Sequence, residues 1–415
     1  MKSNTLRRKA VSLAVAGLSS CGSQFADPIT AELATPSRDS CLRWTTYADC
    51  QLDTLNGCSF QPNTVGCLST DPKCATGQCR GGVRLVSRIA QTLWLHDGPY
   101  RFVGAVSWGV AGWGQMCSYG ALGSHDAVVT QTFDDMATMR ANVLRVWAFQ
   151  SYVSENGEAF DFSRFDRVIA GARRAGVRLI PVLENYWKDC TEGGQKTDAW
   201  FSTGYTLPYG AYGVSYRDYV KTITERYRDE PTILGWEMMH EAQGTDFSAL
   251  YGFAADMTQV IRATGDQHLI MLGTDAGDSA ATSISANTDG TPSNFEKLHA
   301  VSGIDLIDVH DFDSPTVTLA NGFAAQSAVS TSLQKPLFFG ASAIRLPSTS
   351  VSDYSTRAGI ILAKLVASRD GGAVGFLVYD YAPGWSTVGW SFDGRAEEPI
   401  SGPNGVIARN FSPNP

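Results

Sequence analysis

The chain has 415 residues, of which 43% are hydrophobic and 18% are charged, and its formal net charge is −8. This composition is typical of a globular protein with a sizeable core, and it excludes disordered and fibrous proteins. The excess of acidic residues argues against nucleic acid as a partner.

The first twenty residues have the features of a signal peptide. Four basic residues precede an apolar stretch at 10–18 that is too short to span a bilayer. The stretch ends in "LSSC", which resembles a bacterial lipobox whose cysteine, here Cys21, is acylated; ordinary secretion with cleavage near Ala26 is the alternative. Loss of the leader leaves 29 Lys and Arg against 41 Asp and Glu, a net charge of −12. We therefore expect an exported, monomeric protein, extracellular or at the cell surface or outer envelope, that meets the membrane only through a lipid on Cys21.

The cysteines favour disulfides over a metal site. If Cys21 carries a lipid, eight of the nine cysteines remain, and an even number in an exported chain predicts disulfides. Six are crowded together without a C-x-x-C pair, which argues against zinc. These candidates are Cys41, Cys50, Cys58, Cys67, Cys74 and Cys79. Their pairing cannot be deduced from the spacing.

Composition divides the chain into four segments. We predict a signal peptide at 1–20, a polar tether at 21–40, a Cys-rich disulfide segment at 41–80 and a larger domain at 81–415. The Cys-rich segment has too few apolar residues to form much core unaided. Whether it binds anything cannot be read from the sequence.

The larger domain alternates buried strands with amphipathic helices. After a hairpin turning at Asp97-Gly98, eight apolar strands are predicted at 101–107, 142–149, 177–183, 232–238, 269–272, 304–309, 336–339 and 374–379. Helices are predicted at 126–140, 162–175, 214–228, 247–264, 294–301, 318–333 and 353–370. Eight strands with crossovers indicate an α/β fold, a (β/α)8 TIM barrel. No G-x-G-x-x-G or P-loop follows a strand, so nucleotide binding lacks support. The sequence implies no metal or organic cofactor.

Chemistry in such a barrel occurs at the C-terminal ends of the strands. The residues at these ends are Trp108, Arg145, Trp147, Glu184, His240, Glu241, His310, Asp311, Ala341, Tyr379 and Asp380. Cys117 and Cys190 follow strands one and three on the same face, which predicts a disulfide that braces this end of the barrel.

The segment "PTILGWEMMHEAQG", residues 231–244, places Glu237 late in strand four and Glu241 just after it. It resembles the fourth-strand motif of clan A glycoside hydrolases, above all the family 5 mannanases and cellulases, usually W-E-x-x-N-E-P. The resemblance implies that Glu241 is the general acid/base.

The resemblance extends over most of residues 82–410. "NVLRVWAF" is similar to strand two of the family, with Arg145 as the active-site arginine, and "IDLIDVHDF" is similar to strand six, with His310. "KPLFFG" resembles strand seven, and the loop "YWKDCTEGGQKTDAW" is similar to that of mannanase-like members. Together these motifs imply a barrel that acts on β-linked polysaccharide, with mannan ahead of other β-glycans.

Three residues depart from the family pattern. Where the family has its nucleophilic Glu, this chain has Ala341; His240 replaces an Asn that holds the sugar 2-hydroxyl, and Tyr379 replaces a Trp platform. Retaining hydrolysis needs two carboxyl groups about 5 to 5.5 Å apart, and a methyl group can neither attack the sugar nor move a proton.

Four explanations fit the alanine. The chain is a laboratory Glu→Ala variant, or it is a natural pseudoenzyme that kept its sugar groove. It is otherwise an active enzyme that uses another carboxylate or an inverting route, or its strand seven is misaligned with the family. The nearest downstream carboxylate, Asp353, is twelve residues past Ala341, which argues against the misalignment. The second unusual residue, His240, favours natural divergence, since one engineered change would not explain both.

Other carboxylates and aromatic residues complete the predicted site. The candidates for a substitute carboxylate are Glu184, Asp311 and Asp380; Glu184 could instead bind sugar or loop backbone, and the two aspartates could pair with Arg145 or cap a turn. Glu237 is expected to be a buried partner rather than a catalyst. Trp108, Trp187, Trp200 and Trp385 are predicted to stack on sugar rings, with Arg145, His240, His310 and Tyr379 around the bond that breaks. The alternative function is a non-catalytic carbohydrate-binding lipoprotein.

Overall fold

The computed structural model describes residues 85–95, 98–112, 117, 122–153, 160–285, 287–313, 323–348, 350–384, 389–394, 400–401 and 405–409. The predicted signal peptide, lipid site at Cys21, tether and Cys-rich segment lie outside these residues, as do Asp97 and Trp385. The proposed domain limits therefore stay predictions.

A small antiparallel sheet precedes the barrel. Its strands are β1 (Ser87–Ile89), β2 (Thr92–Leu95) and β3 (Gly98–Tyr100), and Leu95 pairs with Gly98. The hairpin predicted before the first barrel strand is therefore present. Leu93 and Tyr100, which pair across it, are both buried against the core.

Eight parallel strands form the second sheet. They are β4 (Phe102–Ser107), β5 (Val143–Trp147), β6 (Arg178–Val182), β7 (Gly235–Glu237), β8 (Leu269–Met271), β9 (Ile307–Phe312), β10 (Leu337–Ala343) and β11 (Gly375–Val378). Their order is β8-β7-β6-β5-β4-β11-β10-β9. The Asp305 amide, just before β9, donates to the Ile270 carbonyl of β8 at 2.7 Å, so the two outer strands meet. The sheet is a nearly closed barrel, which confirms the predicted fold.

Helices cover the outside of this barrel. They are α1 (His125–Met139), α2 (Ser163–Ala175), α3 (Asp198–Ser202), α4 (Tyr216–Tyr227), α5 (Phe247–Ala263), α6 (Asn294–His299), α7 (Ala324–Leu333), α8 (Val351–Asp370) and α9 (Val406–Arg409). Ser215 caps α4 by accepting a hydrogen bond from the Asp218 amide, and the apolar face predicted for this helix is buried. No helix among the described residues combines the length and the hydrophobicity that a membrane span requires.

Candidate active site

Glu241 lies just past the end of β7, with its side chain 16% exposed. Its carboxylate accepts hydrogen bonds from Trp187 Nε1 at 2.6 Å and from His310 Nδ1 at 2.8 Å. Its backbone is left-handed, with φ +55°, a conformation that costs a side chain other than Gly or Asn about 1 kcal/mol or more. The fold thus holds this carboxylate in place against a local backbone preference.

The charges around Glu241 are strongly coupled. Burial would lower the pKa of His310, but the Asp308 carboxylate and the hydrogen bond to Glu241 outweigh it and raise the pKa to about 10. Burial, with the charge of Arg145, lowers the pKa of His240 to about 3. Burial would also raise the pKa of Glu241, but His240, His310 and Trp187 hold it well below its usual range. Since His240 is neutral at pH 7, the donors His310 and Trp187 carry this effect, and Glu241 is ionised.

Arg145 and Glu237 form a fully buried ion pair beneath the site. Nε of Arg145 donates to Glu237 Oε2 at 2.6 Å, and Nη2 donates to Oε1. Burial outweighs the arginine and raises the pKa of Glu237 to about 7. The structure corrects the prediction that Arg145 lines the sugar subsite: it is wholly buried and reaches the site through His240, whose Nδ1 lies 3.1 Å from Nη2. Glu237 is the buried partner that the sequence indicated.

The end of β10 brings small residues to the same region. Ala341 pairs in register with His310 of β9 and is completely buried. Gly340 precedes it where the register is irregular, and a Cβ there would lie 1.9 Å from Oδ1 of Asp308. Position 341 is therefore one strand away from the histidine that contacts Glu241.

The three candidate substitute carboxylates have other partners. Glu184 is fully buried and accepts hydrogen bonds from Thr191, Tyr209 and the Asn185 amide, so of its two alternative roles the structure shows the contact with loop backbone and not the contact with sugar. Asp311 pairs with Lys364 of α8 at 2.7 Å, which directs it to the outside of the barrel. Asp380 remains near the site, where it accepts a 2.5 Å hydrogen bond from Trp108 Nε1, and burial raises its pKa. Neither aspartate pairs with Arg145 within the described residues.

The aromatic residues predicted to stack on sugar differ in exposure and in their contacts. Trp187 is half-buried and directs its ring nitrogen to Glu241, whereas Trp108 binds Asp380. Trp200 is packed among Phe201, Tyr205, Tyr209, Tyr216 and Phe253, so its prediction as a sugar platform is wrong, because a covered ring cannot stack on a ligand. Tyr379 packs edge-on against Phe312 at 5.3 Å.

Trp390 is a candidate that the sequence analysis missed. It is 37% exposed, packs against Phe312 at 6.0 Å, and lies beneath the guanidinium of Arg345. Its Nε1 donates to Asp313 at 3.0 Å. Phe312 thus connects Trp390 to Tyr379 at the ends of β9 and β11. The predicted disulfide between Cys117 and Cys190 is present, with a Cα separation of 5.5 Å.

Three donors at the centre of the site also match a metal-ligand set. His240, Glu241 and His310 each offer one ligand atom, and these atoms lie within 4.8 Å of one another. No metal was predicted from the sequence, in which the two histidines are seventy residues apart. Only the barrel brings them together.

Comparison with known proteins places these features in a family. Residues 112–334 match the model of the cellulase family, glycosyl hydrolase family 5. The match includes Glu241 and His310 and ends before β10, so it does not reach Ala341.

Similar individual proteins are named as mannanases. A probable mannan endo-1,4-beta-mannosidase F from Aspergillus oryzae is 27% identical over 218 residues, 45% of this chain and 46% of that protein. The mannan endo-1,4-beta-mannosidase F of Aspergillus fumigatus is 25% identical over 52% of this chain and 56% of that protein. The chain thus spans about half the length of these relatives. The endo-1,4-beta-mannanase structure from Rhizomucor miehei has a TM-score of 0.57 and 18% identity, covering 74% of this chain and 94% of that one, which supports the fold.

Proposed function

Because the chain belongs to glycosyl hydrolase family 5, we propose that the C-terminal end of its barrel is a glycoside hydrolase site for β-1,4-mannan or a related β-linked polysaccharide. The observation that carries this proposal is the Glu241 carboxylate, which accepts hydrogen bonds from Trp187 and from His310, the residue of β9 that pairs with position 341. In it, Glu241 is the acid/base, and Ala341 marks the nucleophile position. The mannanase relatives favour mannan as the sugar.

The retaining reaction assigns one job to each position. A carboxylate at 341 would attack the anomeric carbon while Glu241 gives its proton to the departing glycosidic oxygen; Glu241 would then take a proton from the water that releases the sugar. Ala341 supplies no attacking oxygen. By analogy with nucleophile knockouts, we expect the chain as it stands to turn over roughly 10⁴ to 10⁶ times more slowly than a form with Glu at 341.

Non-catalytic carbohydrate binding is the second candidate function. Two observations favour it: Ala341 offers no nucleophile, and the low pKa of Glu241 leaves it without the proton that an acid catalyst must donate. Under either function we propose an exported, monomeric protein that is lipid-anchored at Cys21 and needs no cofactor for sugar binding.

The two functions separate in one comparison of the full chain with Ala341→Glu. Hydrolysis of manno- and gluco-oligosaccharides would be followed by product analysis, and binding by calorimetry. We expect Ala341→Glu to cleave manno-oligosaccharides at least about 10³-fold faster than the parent chain.

Azide provides an independent check on the parent chain. With an aryl β-manno-oligoside, azide would form a carbon–nitrogen bond at the anomeric carbon as the aryloxide leaves, giving a glycosyl azide. Rescue by azide or by the Ala341→Glu substitution supports a disabled hydrolase. Binding without turnover in every form supports the second function, and the absence of both binding and turnover with either sugar series contradicts the proposal.

A further inference from the structure

We propose that His240, Glu241 and His310 form a binding site for a divalent first-row transition-metal ion at the C-terminal end of the barrel. This inference concerns metal binding alone and does not depend on the proposed function, because it needs no sugar and no nucleophile. Two histidines and one carboxylate are the donor set that zinc, cobalt and related ions accept in proteins.

The separations between donor atoms suit one shared ion. His310 Nδ1 lies 2.8 Å from Glu241 Oε1, and His240 Nε2 lies 3.9 Å from the same oxygen. With metal–ligand bonds of about 2.0 to 2.2 Å, neighbouring ligands of a tetrahedral or octahedral ion lie roughly 3 to 3.5 Å apart. The three donor atoms lie within 4.8 Å of one another, so the side chains must move closer together by about 1 Å to share one ion.

His310 has the support that a metal-bound histidine usually has. Its Nδ1 faces Glu241, and its Nε2 lies 3.4 Å from Oδ2 of Asp308, which is fully buried. Neither oxygen of Asp308 has a hydrogen-bond partner among the described residues. A carboxylate behind the histidine fixes which ring nitrogen carries the proton and strengthens the other as a ligand. Metal at Nδ1 would leave the Nε2 proton directed at Asp308.

The local charge also favours a cation. Glu241, Glu237 and Asp308 interact electrostatically around the site, where they meet one permanent cation, Arg145. Ion binding displaces the proton that His310 Nδ1 shares with Glu241. The three ionised carboxylates and Arg145 then carry a net charge of −2, which a divalent ion balances. Across the strand from His310, Ala341 adds no charge of its own.

Two contacts oppose binding: the proton that His310 Nδ1 donates to Glu241 must leave, and a contact of Arg145 with His240 must open. Arg145 Nη2 lies 3.1 Å from His240 Nδ1, and a histidine that binds metal through Nε2 carries a proton on Nδ1. Two donors would then face each other, so the Arg145 contact with His240 must open. Glu237 keeps the other side of the guanidinium paired throughout. Three ligands leave at least one coordination position for water or a sugar hydroxyl.

The test is titration of the chelator-treated, oxidised full chain with Zn²⁺ by calorimetry and with Co²⁺ by visible absorption. We expect one ion per chain, with a cobalt spectrum of nitrogen and oxygen ligands and no thiolate band from the Cys-rich segment. His240→Asn and Glu241→Gln should each weaken binding at least about tenfold. His125→Asn is the matched control, because its Nε2 contacts the Val110 carbonyl outside the cluster, and it should leave the affinity unchanged.

Circular dichroism would establish that each variant is folded, and the two ligand variants remove different groups, so misfolding of one leaves the other decisive. The proposal is overturned if neither ion binds stoichiometrically, or if a folded His240→Asn or Glu241→Gln binds as tightly as the parent chain. A thiolate spectrum that persists in both variants would place the ion on cysteines and would also overturn it.

Discussion

The ends of β7 and β10 lie on the same face of the barrel and carry opposite kinds of residues. After β7 come His240 and Glu241, and hydrogen bonds hold the Glu241 carboxylate in place despite its left-handed backbone. The end of β10 carries Gly340, Ala341, Ser342 and Ala343, none of which titrates. The end of β7 therefore carries an ionisable pair, and the end of β10 carries no carboxylate.

The difference teaches how one half of the site sets the chemistry of the other. In a retaining glycosidase, a nearby carboxylate and burial keep the proton on the acid catalyst. Here His310 and Trp187 donate hydrogen bonds to Glu241, and its pKa falls instead. Under the proposed function, a carboxylate introduced at position 341 would supply the nearby negative charge that Glu241 needs to keep its proton.

The largest effect is expected when Glu241, which follows β7, is replaced in a chain that already carries Ala341→Glu. In an Ala341→Glu background, Glu241→Gln should lower the rate of manno-oligosaccharide cleavage by about 10²- to 10⁴-fold, because the departing oxygen then receives no proton. Steady-state kinetics would measure it. Asp353→Asn is the control. Asp353 lies on the first turn of α8 and accepts a hydrogen bond from Ser348, which precedes the helix, so its loss should change the rate little. If Asp353→Asn abolished activity instead, the assignment of strand seven would be wrong.

The next effect concerns the ion pair beneath β7. Arg145→Met should lower the free energy of unfolding by about 3 to 5 kcal/mol, because it leaves the fully buried Glu237 without its partner. Arg217→Met breaks an exposed pair with Asp256 and should cost about 1 kcal/mol or less. Urea denaturation of both variants and of Arg145→Met/Glu237→Gln would measure the difference. The double variant should regain part of the free energy of unfolding that Arg145→Met loses. Equal losses in the two single variants would mean that the buried pair has no special weight.

The sequence predicted the barrel well because its signal is local. Each strand is an apolar run, and the run predicts burial without knowledge of its neighbours. Boundaries were less accurate where pairing decides them: strand four was predicted at 232–238, but Ile233 forms only an isolated bridge with Leu179, so β7 is confined to Gly235–Glu237.

The sequence identified the site residues that directly follow a strand, but it did not show which of them are exposed or what they contact. The polar residues Asp198 and Thr197 beside Trp200 suggested an exposed ring, yet α3 packs on α5 and covers it. Glu184 follows a strand like Glu241, but its loop folds back and supplies Thr191 and Tyr209 as donors. Asp308 was overlooked because nothing in "IDLIDV" distinguishes which of its two aspartates faces the barrel interior. Such contacts depend on distant segments and leave no local pattern.

His310 of β9 lies between the carboxylates of Asp308 and Glu241, and its pKa offers a further test of the residues after β7. His310 should have a pKa near 10 and remain protonated at pH 8, whereas Glu241→Gln should lower that pKa by about 1 to 3 by removing one of its two anionic partners. Because the folded pKa lies above the ordinary value of 6.5, His310 stabilises the fold fully below about pH 6.5, and this contribution is lost as the pH rises towards 10.

Nuclear magnetic resonance of the imidazole nitrogens against pH would measure both values. His125 serves as the internal reference, since burial and Arg164 lower its pKa to about 4 and Glu241 is not among its neighbours. A His310 that titrates near 6.5 in the parent chain would show that Asp308 and Glu241 do not hold its proton.

The smallest effect is expected at Trp390, which packs between Phe312 and Arg345 at the edge of the site. If its exposed ring stacks on a sugar, Trp390→Ala should weaken manno-oligosaccharide binding about 2- to 12-fold, the range for one aromatic contact. Tyr251→Ala removes another exposed ring, which packs on Phe247 of α5 and contacts none of the described site residues, and it should leave the affinity unchanged. Calorimetry on both variants would compare them. An unchanged affinity in Trp390→Ala would mean that this ring does not contact the sugar. The groove would then end at Phe312 and Tyr379, and binding would rest on the groups around Glu241.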